Sequence, residues 1–145
     1  MLKRLLFFLT LFCSVLATAQ DWHKDYYDAL KQAKKEDKPI VLVFSGSDWC
    51  VPCKKLDKAI WTSEEFKNFS SENYVLYRAD FPRKKVNQLP QEQLNQNKKL
   101  AERYNTKGYY PLVLVLDKSE QVLGKTGYQK IDPKAYIAIL NSFLK

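Results

Sequence analysis

The sequence predicts an α/β domain in which helices cover both faces of a central mixed β-sheet. Three observations favour this fold class. Apolar, strand-like runs alternate with segments of helical periodicity, the last two strand-like runs follow each other directly, and 145 residues suffice for one compact domain. No repeat or Gly/Ser-rich linker divides the chain. A composition with 46% hydrophobic and 28% charged residues excludes the disordered and collagen-like classes.

Residues 1–19 are built like a secretory signal peptide and are set aside from the fold. Lys3 and Arg4 form a charged start, residues 5–16 form an apolar run, and Ala17-Thr18-Ala19 is a small-x-small cleavage pattern. We therefore expect cleavage after Ala19 and export of the remaining chain.

Two other interpretations of this leader remain open. A retained membrane anchor is less favoured, because the apolar run has about a dozen residues and crossing a bilayer takes roughly 20. A lipid anchor on Cys13 is less favoured, because Phe12 precedes it where such signals need a small residue. We expect residues 20–145 to form a single domain in the periplasm or otherwise outside the cytoplasm, which meets the membrane only during export.

The first elements of the exported part are predicted from their periodicity. Residues 21–38 carry large apolar side chains at helical spacing and predict an amphipathic helix that Pro39 ends. Residues 40–44 are continuously β-branched or aromatic, which is typical of a strand buried on both faces in the middle of a sheet. A second helix is expected from about Cys50 toward Phe69, with a break near Thr62-Ser63.

The second half of the chain continues the alternation and ends in a hairpin and a helix. Asp132 and Pro133 predict the start of that last helix, because Asp is a favoured N-cap and Pro suits the first helical position. The other predicted elements are a strand at 74–81, a basic surface loop at 82–90, a helix at 91–104, a strand at 111–116 and its hairpin partner at 121–128. The order αβαβαββα implies a mixed sheet with helices on both faces.

The charge of the chain indicates a solvated surface rather than a nucleic-acid site. The formal net charge is +8 and falls to +6 without the leader, which carries Lys3, Arg4 and no acidic residue. The basic residues are scattered apart from Arg83-Lys84-Lys85, and no nucleic-acid motif accompanies them. We therefore expect no nucleic-acid partner.

Cys50 and Cys53 are the two cysteines outside the leader, and they lie between a predicted buried strand and a predicted helix. Free amide N–H groups and the helix dipole at such a helix start favour a thiolate, so we expect a depressed pKa and a nucleophilic Cys50. A pKa lowered from about 8.5 to about 7 would make roughly half of the thiol ionised at neutral pH. Cys53, one turn into the helix and expected to be more covered, is the predicted resolving thiol.

The segment Trp49-Cys50-Val51-Pro52-Cys53 resembles the active site of the thioredoxin superfamily. The order of elements resembles the thioredoxin-like fold over nearly the whole of residues 20–145, and matching places also lie at 100–104 and 108–111. The long helix with Trp61-Thr62-Ser63 inside it is most similar to extracytoplasmic thioredoxin-like proteins related to the soluble domains of disulfide-interchange (DsbD-like) proteins.

This resemblance implies the other residues of the site. In the family a cis-proline faces the dithiol, which would be Pro111 here, and the residue before it, Tyr110, would offer backbone groups to an extended substrate. Trp49 would contact substrate, although a tryptophan is more often simply packed in a core. Val51 and Pro52 would support the active site, since Pro52 stiffens the first helical turn.

The resemblance also implies an activity, namely an exported thiol-disulfide oxidoreductase that reduces protein disulfides through Cys50 and Cys53. The absence of a histidine between the cysteines favours a reductant. Its partners would be disulfide-containing client proteins and a membrane dithiol that donates electrons, and no cofactor is expected. One departure from the family is Phe44, which stands where many thioredoxins carry a buried Asp that deprotonates the resolving thiol. In this chain, Asp48 or a water would act as that base, or no group would.

Alternative functions stay open at this point. The same cysteines could serve a disulfide oxidase or isomerase, or the Cys50–Cys53 disulfide could be a structural staple in a non-catalytic binding module. A metal site is not expected, because two cysteines and the distant His23 fall short of four ligands. We expect His23 to be exposed at the start of the first helix.

Overall fold

A computed structural model of the chain describes residues 22–145. The leader predicted at residues 1–19 and its alternatives lie outside this range. Within it, no helix combines the length and the apolar character that crossing a bilayer requires.

Residues 22–145 form a central five-stranded mixed β-sheet, which confirms the predicted fold class. The strands are β1 (Trp22–His23), β2 (Ile40–Ser45), β3 (Val75–Asp80), β4 (Leu112–Leu116) and β5 (Val122–Thr126). Their order across the sheet is β1-β3-β2-β4-β5. Strands β1, β3 and β2 are parallel, whereas β4 is antiparallel to β2 and β5 is antiparallel to β4.

In the part of the chain that the structure describes, five α-helices flank the sheet on its two faces. They are α1 (Tyr26–Glu36), α2 (Val51–Leu56), α3 (Glu64–Asn73), α4 (Gln91–Tyr104) and α5 (Pro133–Ser142). A π-helical turn, Asp57–Trp61, continues α2, and a short 3₁₀ turn, Lys85–Asn87, lies between β3 and α4. Helices α1 and α4 pack on one face, and α2, the π-helical turn, α3 and α5 pack on the other.

Strand β2 occupies the middle of the sheet because its side chains are apolar on both faces. Ile40, Leu42 and Phe44 point toward the core under α1 and α4. Val41 and Val43 point toward the core under α2, α3 and α5. None of the five is more than 1% exposed, so the prediction of a doubly buried central strand is confirmed.

The first predicted helix begins later than we expected. Trp22 and His23 form β1, which pairs with β3, instead of the first turn of α1. The helix starts at Tyr26 because the Asp25 side chain accepts a hydrogen bond from the backbone N–H of Asp28 and caps it. His23 is therefore half-buried in an edge strand, not exposed at a helix start.

The long helix after the cysteines is interrupted where the sequence predicted a break. Thr62 ends the π-helical turn and Ser63 caps α3, because its side chain accepts a hydrogen bond from the backbone N–H of Phe66. The interruption lets α2 and α3 each turn an apolar face toward the sheet, so that Leu56 and Phe66 are both fully buried.

A buried polar residue ties α4 to the end of β3. Asn97 is fully buried, its Oδ1 accepts a hydrogen bond from the Tyr77 hydroxyl at 2.6 Å, and its Nδ2 donates to the backbone carbonyl of Asp80 at 3.0 Å. The Asp80 side chain in turn accepts hydrogen bonds from the backbone N–H and the hydroxyl of Ser47. The position of the segment before the cysteines therefore depends on this part of the core.

We predict that Asn97→Leu lowers the free energy of unfolding by about 2 to 4 kcal/mol, because it leaves the Tyr77 hydroxyl and the Asp80 carbonyl buried without a partner. Urea unfolding followed by circular dichroism measures this change. The matched control is Asn95→Leu at an exposed position of the same helix, which should stay within about 0.5 kcal/mol of the wild type. Equal effects of the two substitutions would contradict the role assigned to Asn97.

Candidate active site

The two cysteines lie where β2 ends and α2 begins. A turn holds this junction together, because the backbone N–H groups of Trp49 and Cys50 donate to the Gly46 carbonyl at 3.2 and 2.8 Å. Gly46 is required here, since a Cβ at this position would overlap the ring of Trp49. Cys50 is the N-cap residue of α2, and Cys53 lies in the first turn of that helix.

Cys50 and Cys53 are joined by a disulfide, with their Cα atoms 5.2 Å apart. The backbone N–H of Cys53 donates to the Cys50 sulfur at 3.3 Å, so a free amide of the helix start points at that sulfur. Both residues are 4% exposed, whereas we expected Cys53 to be the more covered one. The disulfide explains the difference, because it holds Cys50 against the first turn of α2.

A groove of about 490 Å³ brings the start of α2 next to the loop before β4. Pro52, the second residue of α2, lines one side, and Tyr110, Pro111 and Tyr128 line the other. The Tyr110–Pro111 peptide bond is cis. Val51, which lies between the two cysteines in sequence, is 58% exposed. The groove lies along the first turn of α2, which also carries Cys53.

Trp49 connects the three loops around the dithiol. Its indole Nε1 donates to the backbone carbonyl of Phe81 at 2.8 Å, and its ring makes an edge contact with Tyr110, with the centroids 5.3 Å apart. The guanidinium of Arg83 stacks over the ring at 3.9 Å. Trp49 is half-buried by these contacts, so it has both a packing role and an exposed portion beside the sulfurs.

Asp48 holds the loop that follows β3. Its carboxylate accepts hydrogen bonds from the backbone N–H groups of Arg83 at 2.9 Å and Lys84 at 2.8 Å, and from the Asn87 side chain at 3.1 Å. The hydrogen bond from the Arg83 N–H is the main cause that lowers the pKa of Asp48 to about 2. This carboxylate is committed to the loop, which argues against Asp48 as the base for Cys53.

A small cavity of about 110 Å³ lies on the other side of Cys53. Asp57 and Arg78 line it, and the Arg78 Nη2 atom lies 2.7 Å from Asp57 Oδ1. Lys54 also lines the cavity. Phe44 is fully buried among the apolar side chains under α1 and α4. The carboxylate that shares a cavity with Cys53 is therefore that of Asp57, one helical turn further along the chain. Strand β2 supplies no carboxylate to this cavity, because its residue 44 is Phe44.

The sequence of this chain is similar to those of known proteins. The sequence model of the family described as Thioredoxin-like matches residues 21–118. The chain belongs to the thioredoxin-like family. A curated relative of this thioredoxin-like protein, the "Disulfide bond reductase DsbH" of Chlamydia pneumoniae, is 35% identical over 90% of this chain and 76% of its own length.

Solved structures agree with the family assignment. The structure described as "DsbH Oxidoreductase" matches this thioredoxin-like protein with a TM-score of 0.81 and 33% identity, covering 90% of this chain and 88% of that chain. The reduced C-terminal domain of DsbD from Neisseria meningitidis shares the fold, with a TM-score of 0.59 and 20% identity over 81% of this chain and 92% of that domain. The thioredoxin-like protein is a thiol-disulfide oxidoreductase.

The structure brings together most of the residues that the sequence singled out. Cys50, Cys53 and Trp49 lie at one junction, and Pro52 shares the groove with Tyr110 and Pro111. His23 is in β1, paired with Tyr77. Among residues 22–145, no group of three or more His, Cys, Asp or Glu side chains is placed to bind a metal ion.

Asp57 and Arg78 line the cavity beside Cys53, and sequence reasoning did not single them out. The signal for Asp57 was its spacing of four residues after Cys53, which places both side chains on one face of a helix. No comparable signal exists for Arg78, because only the pairing of β3 with β2 brings it near the cavity. The Arg78 side chain is also held in place because its guanidinium stacks over the ring of Trp22 at 4.6 Å.

We predict that the Asp48 carboxyl of the thioredoxin-like protein titrates with a midpoint near 2. The bonds to the loop stabilise the folded state fully above about pH 4, the pKa of an unfolded aspartate, and this contribution is lost as the pH falls through the folded value. Carbon NMR of the carboxyl group measures the midpoint. Asn87→Ala, which removes one donor, should raise it, whereas Asn95→Ala should not. A wild-type midpoint near that of a free aspartate would contradict this account of the loop.

Proposed function

We propose that this protein reduces disulfide bonds of client proteins outside the cytoplasm, with Cys50 as the nucleophile and Cys53 as the resolving thiol. The observation that carries the proposal is the placement of the cysteine pair at the start of α2, beside an open groove. The direction is supported by the 35% identity to a relative named as a disulfide bond reductase. The leader at residues 1–19 supports export.

The reaction consists of two thiol-disulfide exchanges. The Cys50 thiolate attacks one sulfur of the client disulfide, and the other client sulfur leaves as a thiolate and takes up a proton. The Cys53 thiolate then attacks the Cys50 sulfur and releases the first client sulfur. Two electrons pass to the client, and the product is the Cys50–Cys53 disulfide present in the structure.

The helix start favours the first step. The Cys53 N–H donates toward the Cys50 sulfur at 3.3 Å, and such a donor stabilises a thiolate more than a thiol. In the groove, the client segment lies extended beside Pro111, and Tyr110 offers it backbone groups. Burial raises the pKa of Tyr110, so its side chain stays uncharged at neutral pH. Trp49, which contacts Tyr110, and the exposed Val51 supply apolar contacts to the client.

The second step needs an acceptor for the proton of Cys53, which is only 4% exposed. Asp57 is our candidate, because its carboxylate lines the same cavity and is held there by Arg78 at 2.7 Å. The cavity also gives the proton a route that does not pass through the groove occupied by the client.

The oxidised protein must be reduced again before it can act on another client. In an oxidising compartment the glutathione and thioredoxin pools of the cytoplasm are absent, so the electrons have to come through the membrane. We therefore include a membrane dithiol donor among the partners, in addition to disulfide-containing clients. The same groove would receive the donor's cysteines, since they attack the same disulfide.

We predict that Cys53→Ser accumulates mixed disulfides with client proteins through Cys50, because the resolving attack is removed. Non-reducing gels followed by mass spectrometry identify the linked cysteine. Cys50→Ser is the matched control and should trap none. A Cys53→Ser protein that traps nothing would favour the interpretation of the disulfide as a structural staple.

The reduction potential of the wild-type Cys50–Cys53 pair tests the direction of electron flow. A reductase should have a reduction potential near the value of about −270 mV for thioredoxin, whereas a potential near about −120 mV is typical of a strong oxidase. Equilibration with glutathione or dithiothreitol buffers measures it. A value at the oxidising end would exclude the proposed direction while leaving the exchange chemistry intact.

We also predict that Asp57→Asn slows resolution of the mixed disulfide by about tenfold at neutral pH, less than the 100-fold or more of an enclosed general base, because water can partly substitute. Stopped-flow measurement of client release separates this step from the attack by Cys50. Glu64→Gln, an exposed substitution on α3, is the control. Faster release in Asp57→Asn would instead assign the effect to the unpaired Arg78 cation and contradict the role of Asp57.

A further inference from the structure

A basic loop stands beside the candidate active site. We use this name for residues 82–88, between β3 and α4, which contain Arg83, Lys84 and Lys85 in sequence. All three basic residues are exposed, and Val86 next to them is 89% exposed. From the sequence alone this run was interpreted as solvated surface, and nothing in the proposed exchange chemistry uses it.

The basic loop is held in place by the segment that carries the dithiol. Asp48, two residues before Cys50, accepts hydrogen bonds from the backbone N–H groups of Arg83 and Lys84. The Gln88 side chain donates to the carbonyls of Pro82 and Lys84 and closes the loop on itself. The backbone of the basic loop therefore keeps a defined position relative to Cys50, which a freely moving surface run would not do.

The basic loop keeps a net positive charge, because its three basic residues exceed the one carboxylate bound to it. Asp48 is bound to loop amides and acts electrostatically on Lys84, the Asp80 side chain is bound to Ser47, and Asp57 is paired with Arg78. Within the described part of the chain, neither Lys84 nor Lys85 forms an ion pair. Lys54 and Lys55 on α2 are exposed as well, so the surface on this side of the dithiol is positive.

We propose that the basic loop docks acidic side chains that flank the disulfide of a client protein. This inference rests on the proposed function and adds the chemical class of its clients. A polypeptide whose disulfide reaches Cys50 must pass close to the loop, because the Arg83 guanidinium covers Trp49 at 3.9 Å. Acidic client residues close to the loop would contact Lys84 and Lys85. The attraction between these charges steers the encounter and orients the client.

An acidic protein segment fits this surface better than an anionic membrane. The basic loop adjoins the dithiol, and the groove beside Pro111 opens at the same edge of the molecule. A flat membrane bound to Lys84 and Lys85 would obstruct the access of clients to Cys50. A narrow polypeptide can occupy the groove and contact the loop together.

The experiment compares two double charge reversals, Lys84→Glu/Lys85→Glu in the basic loop and Lys34→Glu/Lys35→Glu as the matched control. Lys34 and Lys35 are exposed in the last turn of α1, which leads into the start of β2, whereas the dithiol follows the end of β2. The substrates are peptides with one internal disulfide flanked by glutamates, serines or lysines. Equal melting temperatures of the variants show that both are folded.

We expect the wild type to reduce the acidic peptide with the highest kcat/KM. The acidic-to-neutral ratio of kcat/KM should fall at least about fivefold in Lys84→Glu/Lys85→Glu and stay within about twofold in the control. Raising the salt from about 0.01 M to about 1 M, where the Debye length is about 3 Å, should bring the wild-type ratio close to one. Equal ratios in the two double variants would overturn the proposal.

A binding measurement separates this inference from the proposed function. Calorimetric titration uses the same peptides with serines in place of both cysteines, so it requires no electron transfer. If the wild type reduces none of the peptides, the proposed function fails, and the ratio of acidic to neutral Kd still decides the docking. Binding of phosphatidylglycerol vesicles that depends on Lys84 and Lys85, with equal peptide ratios in all variants, would assign the loop to a membrane and overturn the proposal.

Discussion

The burial of β2 on both faces is the constraint on which the rest of the molecule depends. Because the strand lies between β3 and β4 and is covered by helices on both sides, its carboxyl end has a fixed position and direction. The turn at Gly46 starts from that end and places Cys50 at the N-cap of α2. The sulfur thus meets the backbone amides of α2 because of packing forces that act several residues away.

The fold could be predicted from the sequence because its elements differ in periodicity. The apolar run at residues 40–44 and the alternation of strands with helices specify a mixed sheet, and Ser63 and Asp132 mark helix starts through their capping side chains. The two-residue strand β1 was missed. Trp22 fits a helical pattern equally well, and only the pairing with Leu76 in β3 decides its conformation.

The site was predictable to the extent that its chemistry is local in sequence. The cysteines, the residues between them and their place at a strand-to-helix junction all follow from one short segment. The partners of Asp48 lie about 35 residues further along the chain, and Arg78 reaches Asp57 through strand pairing. Contacts of this kind depend on register and loop geometry, for which the residue types carry no signal.

The three hydrogen bonds accepted by Asp48 have a consequence for how this protein can diversify. One carboxylate joins the turn before Cys50 to the basic loop. A replacement loop that lacked amides at these positions would disturb the geometry of the turn as well as the new surface. The turn before Cys50 and the basic loop must therefore be exchanged together when a chimera is built between relatives. For the same reason, the two segments must change together in evolution.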